Sequence, residues 1–133
     1  MERLTAINQE IFAFNETSQI LLGVFQRYKN VLICLAVQGD RTVGFKIGVL
    51  DMDGSFDSWR GGVITEFRRQ GIALKMMRTQ HEWCVQNKVK VITTTTNSDN
   101  SAMLILNLQN GFEIAGCFVN RRKRLKILQK KWL

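Results

Sequence analysis

The chain has 133 residues, 45% of them hydrophobic, and carries a formal net charge of +8 from 19 Lys and Arg against 11 Asp and Glu. That length suffices for one hydrophobic core and is too short for two ordinary domains, so residues 1–133 are read as a single domain. No apolar run approaches the ~18 residues of a membrane span, and Met1-Glu2-Arg3-Leu4 lacks the build of a secretory signal, so a cytoplasmic protein without membrane association is expected.

From Glu2 to about Asn30, apolar residues recur at helical spacing: Ile7, Ile11, Phe12 and Phe14, then Ile20, Leu21, Val24, Phe25 and Tyr28. Asn15-Glu16-Thr17-Ser18 interrupts them, which predicts two helices with Thr17 or Ser18 capping the second. Val31 to Val37 reads as a buried strand, Gly39-Asp40-Arg41 as a turn, and Thr42 to Leu50 as the returning strand of an antiparallel hairpin. Asp51 to Asp57 is a polar connection. Its aspartates do not make a calcium loop, because Phe56 and Gly62 stand where that loop needs Gly and Glu.

The stretch from Gly61 to Leu74 reads as strand, basic turn and helix. Val63 and Ile64 favour extended backbone, Gly71 permits close approach of a ligand, and a helical pattern begins at Ile72. The first N–H groups of a helix lack intrahelical acceptors and carry partial positive charge. Beside Arg68 and Arg69 they suit a pyrophosphate.

The helix runs to about Asn87, with Ile72, Ala73, Met76, Met77, Trp83 and Cys84 on its apolar face. His81 falls among polar neighbours and is assigned no role. Lys88 to Thr96 is the next strand. Strand, helix and strand in this order make a right-handed crossover, so the two strands should be parallel and adjacent, with a ligand beyond their carboxyl ends. Asn100 should cap a short helix that Gly111 ends in a left-handed conformation. Glu113 to Val119 and Leu125 to Leu128 then form a closing hairpin, with Arg121-Arg122-Lys123-Arg124 as its solvated turn.

Two of these segments carry a family resemblance. Arg68-x-x-Gly71-x-Ala73 resembles the acyl-CoA signature of the GNAT superfamily of N-acetyltransferases. Asn100, Met103, Leu104, Leu106, Gly111 and Phe112 match that family's second motif at its spacing. Together with the element order, the resemblance covers roughly residues 58 to 133. Ser58 to Val63 and Met103 to Asn107 look most like a bacterial branch of uncharacterised acetyltransferases. The implied fold is α/β (α+β): a mixed, mostly antiparallel central sheet with one parallel strand pair at the CoA site, flanked by about four helices. The strand with which this family usually begins is not found ahead of the first helical pattern.

The resemblance also implies an activity, direct transfer of an acetyl group from acetyl-CoA to a primary amine of an acceptor in a ternary complex. CoA is expected at Gly61, Val63, Arg68, Arg69, Gln70, Gly71, Ile72, Ala73 and Asn100, with no metal. Backbone N–H groups exposed where a strand parts from its neighbour near Gly61 to Val63 would polarise the thioester oxygen. Asn107 occupies the position of the family's usual tyrosine acid; its amide can hydrogen-bond a sulfur but cannot deliver a proton as an acid. Glu10, Glu16, Asp51, Asp53, Asp57 and Glu66 are all candidates for the base. A non-catalytic acyl-CoA-binding or sensor domain is the alternative. Less favoured is a small basic RNA-binding domain using Arg121 to Lys126, because few aromatics lie near that run. A homodimer is left open. Cys34, Cys84 and Cys117 lack metal-ligand spacing and are expected to be reduced and mostly buried.

Overall fold

The computed structural model describes residues 2, 6, 26–28 and 30–133. Apart from residues 2, 6 and 26–28, the two expected N-terminal helices, with Glu10 and Glu16, lie outside the described residues. Among the described residues six strands form one sheet: β1 (Asn30–Gln38), β2 (Arg41–Leu50), β3 (Phe56–Val63), β4 (Val91–Asn97), β5 (Glu113–Val119) and β6 (Leu125–Trp132). Helix α1 (Ile72–Gln86) links β3 to β4, and α2 (Ser101–Gln109) links β4 to β5.

The strand order is β1-β2-β3-β4-β6-β5, and every neighbouring pair is antiparallel except β3 and β4. The expected mixed sheet with one parallel pair is therefore present, with α1 as the crossover that a parallel connection requires. The closing hairpin is longer than its apolar pattern suggested, because Gln129 to Trp132 continue to pair with β4.

Strand β2 is buried along nearly its whole length, since both faces are covered. Val43, Phe45 and Ile47 belong to one apolar cluster with Ile64. On the other face Gly44 and Gly48 let α1 lie close. A Cβ at Gly48 would overlap the Phe56 ring and come within 2.9 Å of Gln80 Nε2, and one at Gly44 would come within 3.1 Å of the Met76 methyl group. A second cluster of Phe56, Cys84, Val89, Ile92 and Phe112 ties α1 to β3 and β4.

Asn100 caps α2 as expected, its Oδ1 accepting from Met103 N at 3.3 Å. Gly111 follows with φ of 94°. The cysteines are free: Cys84 is buried, Cys34 half-buried and Cys117 exposed. Among the described residues no helix is long and apolar enough to cross a membrane.

The interior under α1 is more polar than its apolar spacing suggested. Gln80 is fully buried with neither amide atom hydrogen-bonded. His81, expected on a solvated face, is buried against Phe112 with Lys131 Nζ 3.0 Å from its Nδ1. Burial, then the Lys131 and Lys46 ammonium groups, push its pKa down to about 4. Lys46 is itself pushed down to about 8 by burial.

Candidate functional site

The parallel pairing of β3 with β4 is short. Phe56 faces Ile92 and Asp57 faces Thr93, and the register ends there. A side-chain bond from Thr94 Oγ1 to Ser58 O, 3.1 Å, follows, and beyond it the strands diverge. The divergence has a local cause on the other side of β3. Ile47 pairs with Arg60 and Gly48 with Ser58, so Trp59 is an extra residue, and such a bulge bends its strand. Beyond the split, the edge of β3 that faces β4 has no ladder partner among the described residues. Gly61 and Val63, both assigned to CoA from the sequence, lie on that stretch.

The chain then leaves β3 through a single 3₁₀ turn, Thr65–Phe67, and enters α1 at the same end of the sheet. Arg69 has φ of 61° and Gly71 φ of 81°. Left-handed residues set among others in this way turn successive N–H groups toward one concavity, which is an anion-binding arrangement. Among the described residues the backbone N–H groups from Arg69 to Leu74 have no hydrogen-bond acceptor; the first beyond them that does is Lys75 N, which reaches Gly71 O at 3.0 Å. Among the described residues no side chain caps α1, and beyond its chain neighbours no atom lies within 4 Å of where a Gly71 Cβ would stand. Arg69 and Gln70 are exposed beside this cradle, with Ile72 and Ala73 half-buried at its floor. Arg68 differs from expectation in part. Its Nε donates to Val63 O at 2.9 Å, so it braces the turn against the end of β3.

The acid-base candidates separate clearly. Asp53 is held in its own turn by Ser55 N and Oγ. Asp51 is exposed at the turn's start, and exposed Glu66 lies 3.5 Å from Arg41 Nη1. Asp57 alone of the described candidates is half-buried at the strand divergence. Burial raises its carboxyl pKa, partly offset by the hydrogen bond from Thr93 Oγ1 at 3.3 Å, while Asp51 raises it further. A cavity of about 120 Å³ opens against it, lined by Arg27, Tyr28, Val49 and Trp59. Sequence reasoning named Asp57 but could not select it, and it missed Tyr28, Trp59 and Thr93. A larger hollow of about 430 Å³, between the second half of α1 and the end of β6, shares no residue with this site.

Asn107, at the position of the family's usual tyrosine acid, is engaged with Gln129, the residue of β6 that pairs with Thr94. It is buried, its Nδ2 donating to Gln129 Oε1 at 2.9 Å, and Gln129 Nε2 donates in turn to Leu104 O at 3.3 Å. The amide thereby joins α2 to β6. Asn100 stays at the helix start as a cap. Among the described residues no group of three His, Cys, Asp or Glu is placed to hold a metal ion.

The described residues thus form a mixed, mostly antiparallel sheet that splits beside an uncapped helix start. No protein-family model and no curated protein matches the sequence. Solved structures do match it. The ribosomal-protein-S18-alanine N-acetyltransferase from Escherichia coli aligns with a TM-score of 0.85 at 15% identity, over 98% of this chain and 86% of that one. The PaiA N-acetyltransferase from Thermoplasma acidophilum, in complex with coenzyme A, aligns with a TM-score of 0.76 at 13% identity, over 99% and 92%. The ribosomal-protein-alanine N-acetyltransferase from Brucella melitensis aligns with a TM-score of 0.76 at 19% identity, over 99% and 91%. The chain shares the fold of these solved N-acetyltransferases.

Proposed function

We propose that the protein is an acetyl-CoA-dependent N-acetyltransferase that passes the acetyl group directly to a primary amine. The observation that carries this reading is the coincidence of two features at one end of the sheet: the split between β3 and β4 after Asp57, and the N–H cradle from Arg69 to Leu74. The cradle fits a pyrophosphate, offering donors without competing acceptors, open space at Gly71 and the Arg69 charge. Acetyl-CoA would be held there and along Gly61 to Val63, and it supplies an activated acyl group as a thioester.

The chain's own residues do the rest. Unpaired β3 N–H groups polarise the acyl oxygen where negative charge develops. Holding amine and thioester in one cleft replaces a bimolecular encounter. Asp57, its pKa raised by burial, is the group suited to accept the amine's proton, and Trp59 and Tyr28 shape the space in front of it. No side chain at position 107 protonates the leaving thiolate. With an unperturbed pKa of ~8.5, a thiolate leaves without an acid.

The buried Asn107 is also what a non-catalytic acyl-CoA-binding domain would have, and the same assay separates the two. Thiol release from acetyl-CoA is followed over a panel of amines, peptides and aminoglycosides, with mass spectrometry of the products. Amine-dependent release with acetyl on nitrogen is expected. Tight CoA binding with no transfer to any amine would favour the binding domain.

A further inference from the structure

The sheet ends at β5 in a way that differs from an ordinary protected edge. Among the described residues no strand pairs with its outer side, so a row of backbone N–H and C=O groups is open to a partner. Both its faces expose apolar side chains: Ile114 at 63% and Val119 at 63% on the face that carries α2, and Phe118 at 48% on the other. Leu125 of β6 and Ile105 and Leu108 of α2 are exposed as well. Natural edges are usually guarded by charge, proline, a bulge or a covering element, and of these β5 has one register irregularity, between Ile114 and Gly116. Over its seven residues β5 has a single charged side chain, Glu113, at its first position.

Charge selects the occupant. The strand runs from Glu113 directly into the exposed basic turn Arg121 to Arg124. A parallel neighbour would stack two such turns on each other. An antiparallel second copy places the turns at opposite ends and brings each beside the other copy's Glu113. We propose that β5 is the interface of a homodimer, in which two copies pair antiparallel through this strand into one continuous sheet that doubles the six strands of each chain. The register that sets Glu113 opposite Arg121 puts Cys117 on the two-fold axis, facing its counterpart. Such an interface is isologous and closes on itself, so it does not propagate into fibres. Opposed residues in an antiparallel pair have Cα atoms about 4.5 to 5.5 Å apart, so the two exposed thiols lie within reach of a short bifunctional reagent.

The test uses the full chain. Sedimentation should give a species of twice the chain mass at micromolar concentration, and a short bis-maleimide should join two chains through Cys117, as peptide mapping would identify. Ile114→Glu and Phe118→Glu change exposed positions on opposite faces of the strand. Phe118→Glu sets two carboxylates diagonally across the two-fold axis and should weaken the dimer about tenfold or more, with the circular dichroism spectrum unchanged, whereas Ile114→Glu, opposite Asn120 and beside the basic turn of the second copy, should leave it intact. A wild-type chain that is monomeric at every concentration overturns the proposal, and that is the outcome if a different protein or peptide covers this edge. A dimer that survives Phe118→Glu, or one in which Cys117 is never the cross-linked residue, overturns it equally.

Discussion

Replacing Asn107 by alanine separates a structural amide from a catalytic one. The side chain is 3% exposed and donates to Gln129 Oε1 at 2.9 Å, and Gln129 is wholly buried. Truncation removes the donor and strands a buried acceptor, a defect that costs about 1–3 kcal/mol. The expected fall in melting temperature is roughly 3–12 °C for a domain of this size. Among molecules that remain folded, the turnover number should change by less than about threefold, well under the 1.36 kcal/mol that makes a factor of ten. Thermal unfolding followed by circular dichroism, with single-temperature thiol-release kinetics well below the transition, provides both readouts. An Asn107→Ala protein with the wild-type melting temperature and no turnover would refute the reasoning, because the amide would then have to act on the reacting groups.

Asp57→Asn should trade activity for stability. Burial raises the folded-state pKa of Asp57, so the folded protein binds its proton more tightly than the unfolded chain. The destabilisation is absent below the unfolded pKa, grows as pH rises through the folded value and is fully present above it. The Asp57→Asn protein should therefore melt higher than wild type at neutral pH, while transfer falls about 100-fold or more with CoA affinity retained; unchanged kinetics would remove Asp57 from the chemistry. His81 works in the opposite pH sense. Its folded pKa of about 4 lies below the unfolded 6.5, so the unfolded chain takes up the proton first and stability falls as pH drops from about 6.5 to about 4. His81→Gln should flatten that limb of a melting-temperature profile, and a limb of undiminished slope would assign it to other groups.

The parts of this fold legible in the sequence are those determined by neighbours along the chain. Asn100 caps and Gly111 turns because each needs only the adjacent helix, and Ile72 starts α1 because Gly71 adopts the left-handed conformation before it. What escaped detection depends on residues brought together from afar. His81 is buried because Lys131, 50 positions later, lies over it. Asn107 faces the interior because Gln129, 22 positions on, receives its amide. Asp57 was one carboxylate among six until the end of the β3–β4 pairing placed it apart from the rest. The basic turn at Arg68 was read as two free cations, and only the fold could turn Arg68 back onto Val63 O.

The central claim, that acetyl-CoA is held at the start of α1, is tested most directly by calorimetric titration of the full chain with acetyl-CoA, alongside Gly71→Asp. Gly71 has φ of 81° and open space in front of it, so an aspartate there brings both backbone strain and a negative charge to the proposed phosphate position. The account predicts saturable one-site binding to the wild-type chain, with affinity reduced about 100-fold or more in the folded variant. No heat of binding to a folded wild-type chain, or equal affinity in the two proteins, would contradict it.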